Sequence, residues 1–174
     1  MTVDVRALLL AGFDFSWESV RGRMDGMGDD EYLWEPVAGC WSVRPAGDGR
    51  FVADVERPEP DPPPVTTIAW RTGHIAVACL DSYTERAFGT RGTAFGELEW
   101  VGTAAEALAG LDAAWAAFRG AFGSLDEEGW ARPIGPAFGP FAEESHASLV
   151  LHAYDEVVHH GAEVALLRDL WRHR

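Results

Sequence analysis

The chain has 174 residues, 47% of them hydrophobic and eight of them tryptophan, which is enough apolar material for one domain with a substantial core. Acidic residues outnumber basic ones 28 to 14, and the formal net charge of −14 argues against nucleic-acid or anionic-membrane partners, since both reward a basic surface. No run of 18 apolar residues marks a membrane span, and Met1-Thr-Val-Asp-Val-Arg-Ala-Leu-Leu-Leu lacks the basic start and long apolar stretch of a secretory signal. The expectation is a soluble cytoplasmic protein folded as one domain over residues 1–174. Cys40 and Cys79 sit in distant, motif-free settings and read as reduced, packed thiols.

From Val3 to about Met27 apolar residues recur at helical spacing: Val5, Leu8, Leu9, Gly12, Phe13, Ser16/Trp17, Val20, Met24 and Met27. Gly28-Asp-Asp is expected to end this first helix. Residues 32–44 are too broken by proline and glycine for a long element, and Trp34 and Trp41 there read as core packing rather than as the walls of a pocket. Pro45 to Pro64 reads as a long irregular loop with a short extended piece at Arg50-Phe-Val-Ala-Asp-Val; loops of this length are often functional, for example as lids. The prolines before Val65 open a second helix, 65–86, in which apolar neighbours predict a buried His74.

Phe88 to Gly102 is a glycine-rich connection in which Glu97 and Glu99 read as solvated. Thr103-Ala-Ala-Glu106 then has the capping-box pattern that opens a third helix. Its seam of Ala104, Leu108, Leu111, Trp115, Phe118 and Phe122 alternates steps of four and three, as bundle helices do. Ser124 to Pro133 ends it and echoes residues 30–36, each being an acidic stretch, a tryptophan and a proline; the echo suggests two related helix pairs. Gly135 to Pro140 is a further loop, and a fourth helix starts near Ser145. Four long helical patterns without a set of alternating strands give an all-α fold, a four-helix bundle with long irregular loops.

The fourth helix carries the chemistry. Four of the six histidines lie in or just after its stretch from Ser148 to Trp171: His152, His159, His160 and His173. At about 100° per residue, His152, Glu156, His159, His160 and Glu163 share roughly a third of the circumference with Leu149, Leu167 and Trp171. A polar cluster interrupting an apolar stripe is expected to face the interior, where imidazoles and carboxylates need partners, and a metal ion is one candidate. Glu156 and His160, one turn apart, can reach one ion about 2 Å from each, and His74 on the second helix can supply a third donor. Two nitrogens and a carboxylate suit zinc or another divalent first-row metal with a position left for water or a thiol. Spacing alone leaves a second reading open, in which Glu156, His159 and His160 form salt links only. By position, His159 or His152 can also replace His160 or Glu156 in the ligand set. The sequence holds no GxSxG, no GxxxxGK[ST] and no GxGxxG after a strand, and Ser148 near His152 lacks a third group for a triad.

Three stretches together resemble a known family: Leu33-Trp-Glu-Pro with Gly39-Cys-Trp-Ser; Thr67-Ile-Ala-Trp-Arg-Thr-Gly-His74; and Leu151-His-Ala-Tyr-Asp-Glu-Val-Val-His-His-Gly-Ala-Glu-Val-Ala-Leu-Leu-Arg168. Their order is similar to that of the DinB-like metal-binding four-helix bundles, which include the N-terminal domain of mycothiol-dependent maleylpyruvate isomerases. Many members use three histidines. Here His74 and His160 match two of them and Glu156 stands in the third place, in agreement with the His, Glu, His zinc set of the isomerase branch. The resemblance implies a divalent metal held by His74, Glu156 and His160, zinc first and nickel as the alternative, with His152, His159 and Glu163 orienting ligands or moving protons around it. It further implies a transferase or isomerase that uses a low-molecular-weight thiol, such as mycothiol or bacillithiol, against an electrophilic substrate, with loops 45–64 and 126–142 shaping the pocket. A non-catalytic metal-binding or stress-response bundle is the competing expectation, and a metal-free interaction bundle a third. Paired bundles are common in that family, so a homodimer is among the expected forms.

Overall fold

The computed structural model describes residues 3–89 and 99–174, and four long helical segments dominate them. The first, α1 (Val5–Gly22), begins where the Asp4 carboxylate accepts from the Ala7 amide at 2.9 Å. It ends at Gly22 rather than near Met27, and Met24 and Met27 reach the core from the turns beyond it. Val5 and Leu8, expected inside, are exposed, because the buried stripe runs through Leu10, Phe13 and Trp17. Gly28-Asp-Asp opens a short helix, α2 (Asp29–Tyr32), and the Asp29 carboxylate accepts from the Ala104 amide at 2.8 Å. The extended piece expected at 50–55 is β2 (Phe51–Ala53), which pairs antiparallel with β1 (Val43–Pro45) in a hairpin, Val43 opposite Ala53.

The second long helix is not uniform. It consists of α3 (Ile68–Gly73), a π-helical segment (His74–Asp81) and α4 (Ser82–Phe88). Thr67 starts it by accepting from the Trp70 amide. The third, α5 (Ala104–Gly123), is capped as expected: the Thr103 hydroxyl accepts from the Glu106 amide and donates to the Glu106 carboxylate at 2.6 Å. Ala104, Leu111, Phe118 and Phe122 of its seam are buried, while Leu108 and Trp115 are half-buried at its margins. After α6 (Glu127–Ala131) and a 3₁₀ turn at Pro136–Phe141, Ser145 caps α7 (His146–Arg172).

Cross-helix contacts give each direction. Ion pairs Arg21–Asp112 and Asp14–Arg119 make α1 and α5 antiparallel. Ser16 against Tyr154 and Arg23 against Asp169 make α1 and α7 parallel. Tyr83 stacks on His152 while Arg71 pairs with Glu163, so the second helix and α7 run antiparallel. Two parallel pairs cannot be joined by tight turns alone. The glycine-rich connection from Phe88 to Gly102 joins the second helix to α5; its residues 90–98, Glu97 among them, lie outside the described residues. Close approach of α1 and α7 requires Gly161, where a Cβ would stand 2.5 Å from a Val20 methyl. Below that contact the buried Arg168, 1% exposed, donates to both carboxylate oxygens of Glu31 and to the Arg23 and Asp25 carbonyls, tying the chain after α1 to α7. Among the described residues no helix is long and apolar enough to cross a membrane.

Candidate metal centre

The antiparallel packing of the second helix on α7 brings His74, Glu156 and His160 together. His74 Nε2 lies 2.9 Å and His160 Nε2 3.1 Å from the same oxygen, Glu156 Oε2. The two imidazoles meet edge-on with ring centres 4.7 Å apart. Stacking on Trp70 at 5.2 Å and 8° holds the plane of His74, and Trp70 is itself fixed by donating Nε1–H to the Asp54 carbonyl just after β2. The long 45–64 loop therefore acts on the site through a tryptophan. Trp41 and Trp100 flank Trp70, and Gly73 admits the Trp100 ring, which a Cβ would meet at 2.3 Å.

His160 is gripped at both nitrogens. Its Nδ1 lies 2.7 Å from Glu163 Oε2, and Arg71 reaches both, with Nε 2.9 Å from that oxygen and a second nitrogen 3.2 Å from Nδ1. Glu156 and His160 side chains are 18% and 11% exposed, so a carboxylate and an imidazole are held largely out of water. Hydrogen bonds from His160 and His74 outweigh burial and hold the Glu156 carboxyl far below its ordinary range. At His160 burial favours the neutral ring, but the bonds to Glu156 and Glu163 win and raise its pKa. Burial pulls Arg71 down against the opposing pull of Glu163 and Glu156; an arginine nonetheless stays charged.

His152 and His159 are placed differently from the expectation. Their side chains are 52% and 59% exposed, at 3.6 Å from Glu156 Oε1 and 3.5 Å from Glu163 Oε1. The polar sector is wider than the covered strip of α7, so its edges reach solvent while Glu156 and His160 lie under the second helix. His74 is half-buried rather than buried, its side chain 26% exposed.

Three neighbours were not expected in the site. Cys79 Sγ lies 3.5 Å from His74 Nε2 and 3.6 Å from Glu156 Oε2. Arg71 lies one α-helical turn before His74, a spacing that did signal a shared face. Tyr83 stacks on His152 and interacts with Cys79. Both cysteines are free and buried as expected; burial, followed by the charge of Glu156, drives the Cys79 thiol far above its ordinary range. The His173 ring bonds the Asp169 carbonyl and stands apart from the site. A cavity of about 460 Å³ lies between the π-helical segment and α5, walled by Tyr32, Ala76, Trp100 and Ala114, and contains none of the histidines.

The donor set fits a divalent ion. Two imidazole nitrogens converge on one carboxylate oxygen, and the protons they share with it are what a cation would displace. The Nδ1 of His160 is occupied by a carboxylate, the arrangement that fixes the tautomer of a metal-ligating histidine. Among the described residues, His74, Cys79 and Glu156 form one group whose donor atoms lie within 4.8 Å of one another, and His159, His160 and Glu163 form another. A family model described as the DinB superfamily matches residues 13–164. No curated protein matches the chain.

Proposed function

The chain belongs to the DinB superfamily, and on that premise we propose that it is a divalent-metal-dependent thiol transferase or isomerase, folded as one domain over residues 1–174. The superfamily includes metal-binding members, and the chain carries a group of residues able to hold an ion. One observation carries the proposal: His74 and His160 present Nε2 to the same oxygen of Glu156 inside the bundle. These three residues would hold the ion, zinc before nickel, since two nitrogens and one oxygen suit a borderline cation. Bound there, it would supply Lewis acidity that lowers the pKa of a thiol or water.

The remaining chemistry belongs to the chain. Glu163 and Arg71 orient His160 from behind, and Trp70 fixes His74. His152 and His159 stand at the exposed rim, where an incoming thiol would first meet the site. Trp70 and Trp41 offer an apolar wall on the side of loop 45–64, and Phe138 and Tyr83 another on the side of loop 126–142. The thiol is read as a small one of the mycothiol type, and its partner as a small electrophile.

Elemental analysis of untagged protein tests the first half of the reading. Near-stoichiometric zinc or nickel in the wild type, lost in Glu156→Ala, is the expected result; no metal in either, with no uptake from excess zinc, would sink it. Thiol consumption by the metal-loaded wild type, presented with electrophiles and absent in Glu156→Ala, tests the second half. A non-catalytic metal-binding or stress-response bundle is favoured by one observation, the protein sulfur of Cys79 beside the three donors.

A further inference from the structure

The π-helical segment begins at His74 and contains Cys79, five residues on. In an α-helix five residues turn through about 500°, which would leave the two side chains about 140° apart on different faces. A π-helix closes its hydrogen-bonded ring one residue later, so a residue and its fifth successor come back over one another. Cys79 thereby reaches the same edge of the helix as His74 and faces the same oxygen of Glu156.

We propose that Cys79 is a fourth ligand of the same ion, so that the protein itself supplies a sulfur to a site of two imidazoles, one carboxylate and one thiolate. The inference rests on the metal reading of His74, Glu156 and His160 and adds to it. Distances support it. With metal–sulfur near 2.3 Å and metal–nitrogen or –oxygen near 2.0–2.1 Å, the sulfur-to-nitrogen and sulfur-to-oxygen edges of a tetrahedron are each about 3.5–3.6 Å. Cys79 Sγ lies 3.5 Å from His74 Nε2 and 3.6 Å from Glu156 Oε2, at two of those edges already. His160 stands outside the group of donor atoms that lie within 4.8 Å of one another, so its ring closes in to complete the tetrahedron. Ligation forms a metal–sulfur bond and releases the thiol proton to solvent, with no change of oxidation state. A sulfur donor tilts the site toward zinc, cobalt and copper and away from magnesium, calcium and manganese. An external thiol must then displace Cys79 to gain the ion, which makes Cys79 a built-in competitor for the thiol of the proposed reaction.

Titration with cobalt(II) chloride tests the proposal on the full chain. Wild type and Cys40→Ser are expected to show cobalt ligand-field bands together with a near-ultraviolet sulfur-to-cobalt charge-transfer band. Cys79→Ser and Cys79→Ala keep the first and lose the second, and their zinc affinity falls by at least about tenfold. Ligand-field bands with identical near-ultraviolet spectra in all four proteins would overturn the role of Cys79 and leave the three-residue site standing. Absence of any cobalt uptake would overturn both. X-ray absorption of the zinc-loaded wild type needs no variant: one sulfur at about 2.3 Å is expected, and a shell of nitrogen and oxygen alone would refute the proposal.

Discussion

Replacing Glu163 by alanine separates orientation from ligation. Glu163 touches no proposed donor atom at His160 Nε2; it acts through Nδ1, at 2.7 Å, and holds the Arg71 guanidinium at 2.9 Å. Removing it has two consequences of the same sign. His160 loses the acceptor that keeps a proton on Nδ1, and Arg71, already 3.2 Å from Nδ1, becomes its sole partner there. A guanidinium only donates, so it favours the tautomer with the proton on Nε2, the one that cannot ligate. Outer partners of metal-bound histidines are worth about 10–100-fold in affinity, or about 1.4–2.8 kcal/mol. With its side chain 34% exposed, Glu163 leaves room for water to replace it, which places the loss at the lower end, about tenfold. Competition for zinc against a chelator of known affinity reads the loss directly. Glu163→Gln should recover part of it, and Arg71→Ala in the Glu163→Ala background should recover part as well. Unchanged zinc affinity in Glu163→Ala, or a loss equal to that of His160→Ala, would refute the division of roles.

His74→Ala and His160→Ala should each weaken divalent-metal binding by at least about tenfold and by more than Glu163→Ala, because a lost donor exceeds a lost support; His173→Ala should change nothing, and equal metal retention in all three would sink the assignment. Arg168→Ala leaves the Glu31 carboxylate buried without its cation, which costs about 3–5 kcal/mol, or about 6–20 °C in melting temperature at this chain length; a melt within error of wild type would show that the pair holds nothing. In metal-free protein, His160 has a folded pKa above 6.5, so its contribution to stability is complete below 6.5 and is lost as pH rises through the folded value. Glu156 has a folded pKa below 4.5, so its contribution is complete above 4.5 and is lost as pH falls toward that folded value. Zinc requires the neutral imidazole, so stabilisation by zinc should grow with pH above 6.5 while the chelated protein weakens; chemical denaturation of both forms across that range should give slopes of opposite sign, and parallel slopes would refute the shared site.

The helices that could be read from the sequence are those whose pattern and end signals agree. In α5 the seam and the Thr103–Glu106 cap point to one register, and the third helix stands where both place it. The α1 pattern misled only in its first turns. Phe13, Trp17, Met24 and Met27 are buried and Leu9 packs against the core, whereas Val5 and Leu8 lie on the exposed side and Leu10 is covered instead, a choice set by where α5 and α7 lie. Arg168 gave no warning at all. An arginine one turn before a helix end normally reads as a dipole partner in solvent, and its burial depends on Glu31 and two carbonyls more than 130 residues away in the chain.

The same distinction explains the site. His74, Glu156 and His160 were readable because each α-helical stretch that carries them keeps its ordinary angular step up to that residue, and the spacing of Glu156 and His160 was a direct forecast of their contact. Cys79 was unreadable for the converse reason. Its alignment with His74 depends on a change of helical pitch that begins at His74 itself, and any projection at 3.6 residues per turn moves it to another face. Nothing in the composition of residues 74–81 marks that change, which is visible only in the backbone. A π-helical turn is poorer in hydrogen-bond geometry than an α-turn and persists where surrounding packing holds it. Here Ile75, Ala76, Cys79 and Leu80 are buried against the neighbouring helices. The segment that departs from regular geometry is thus the one that gathers an imidazole and a thiol at a single carboxylate oxygen, and that coincidence is the strongest structural reason to look for a cation there.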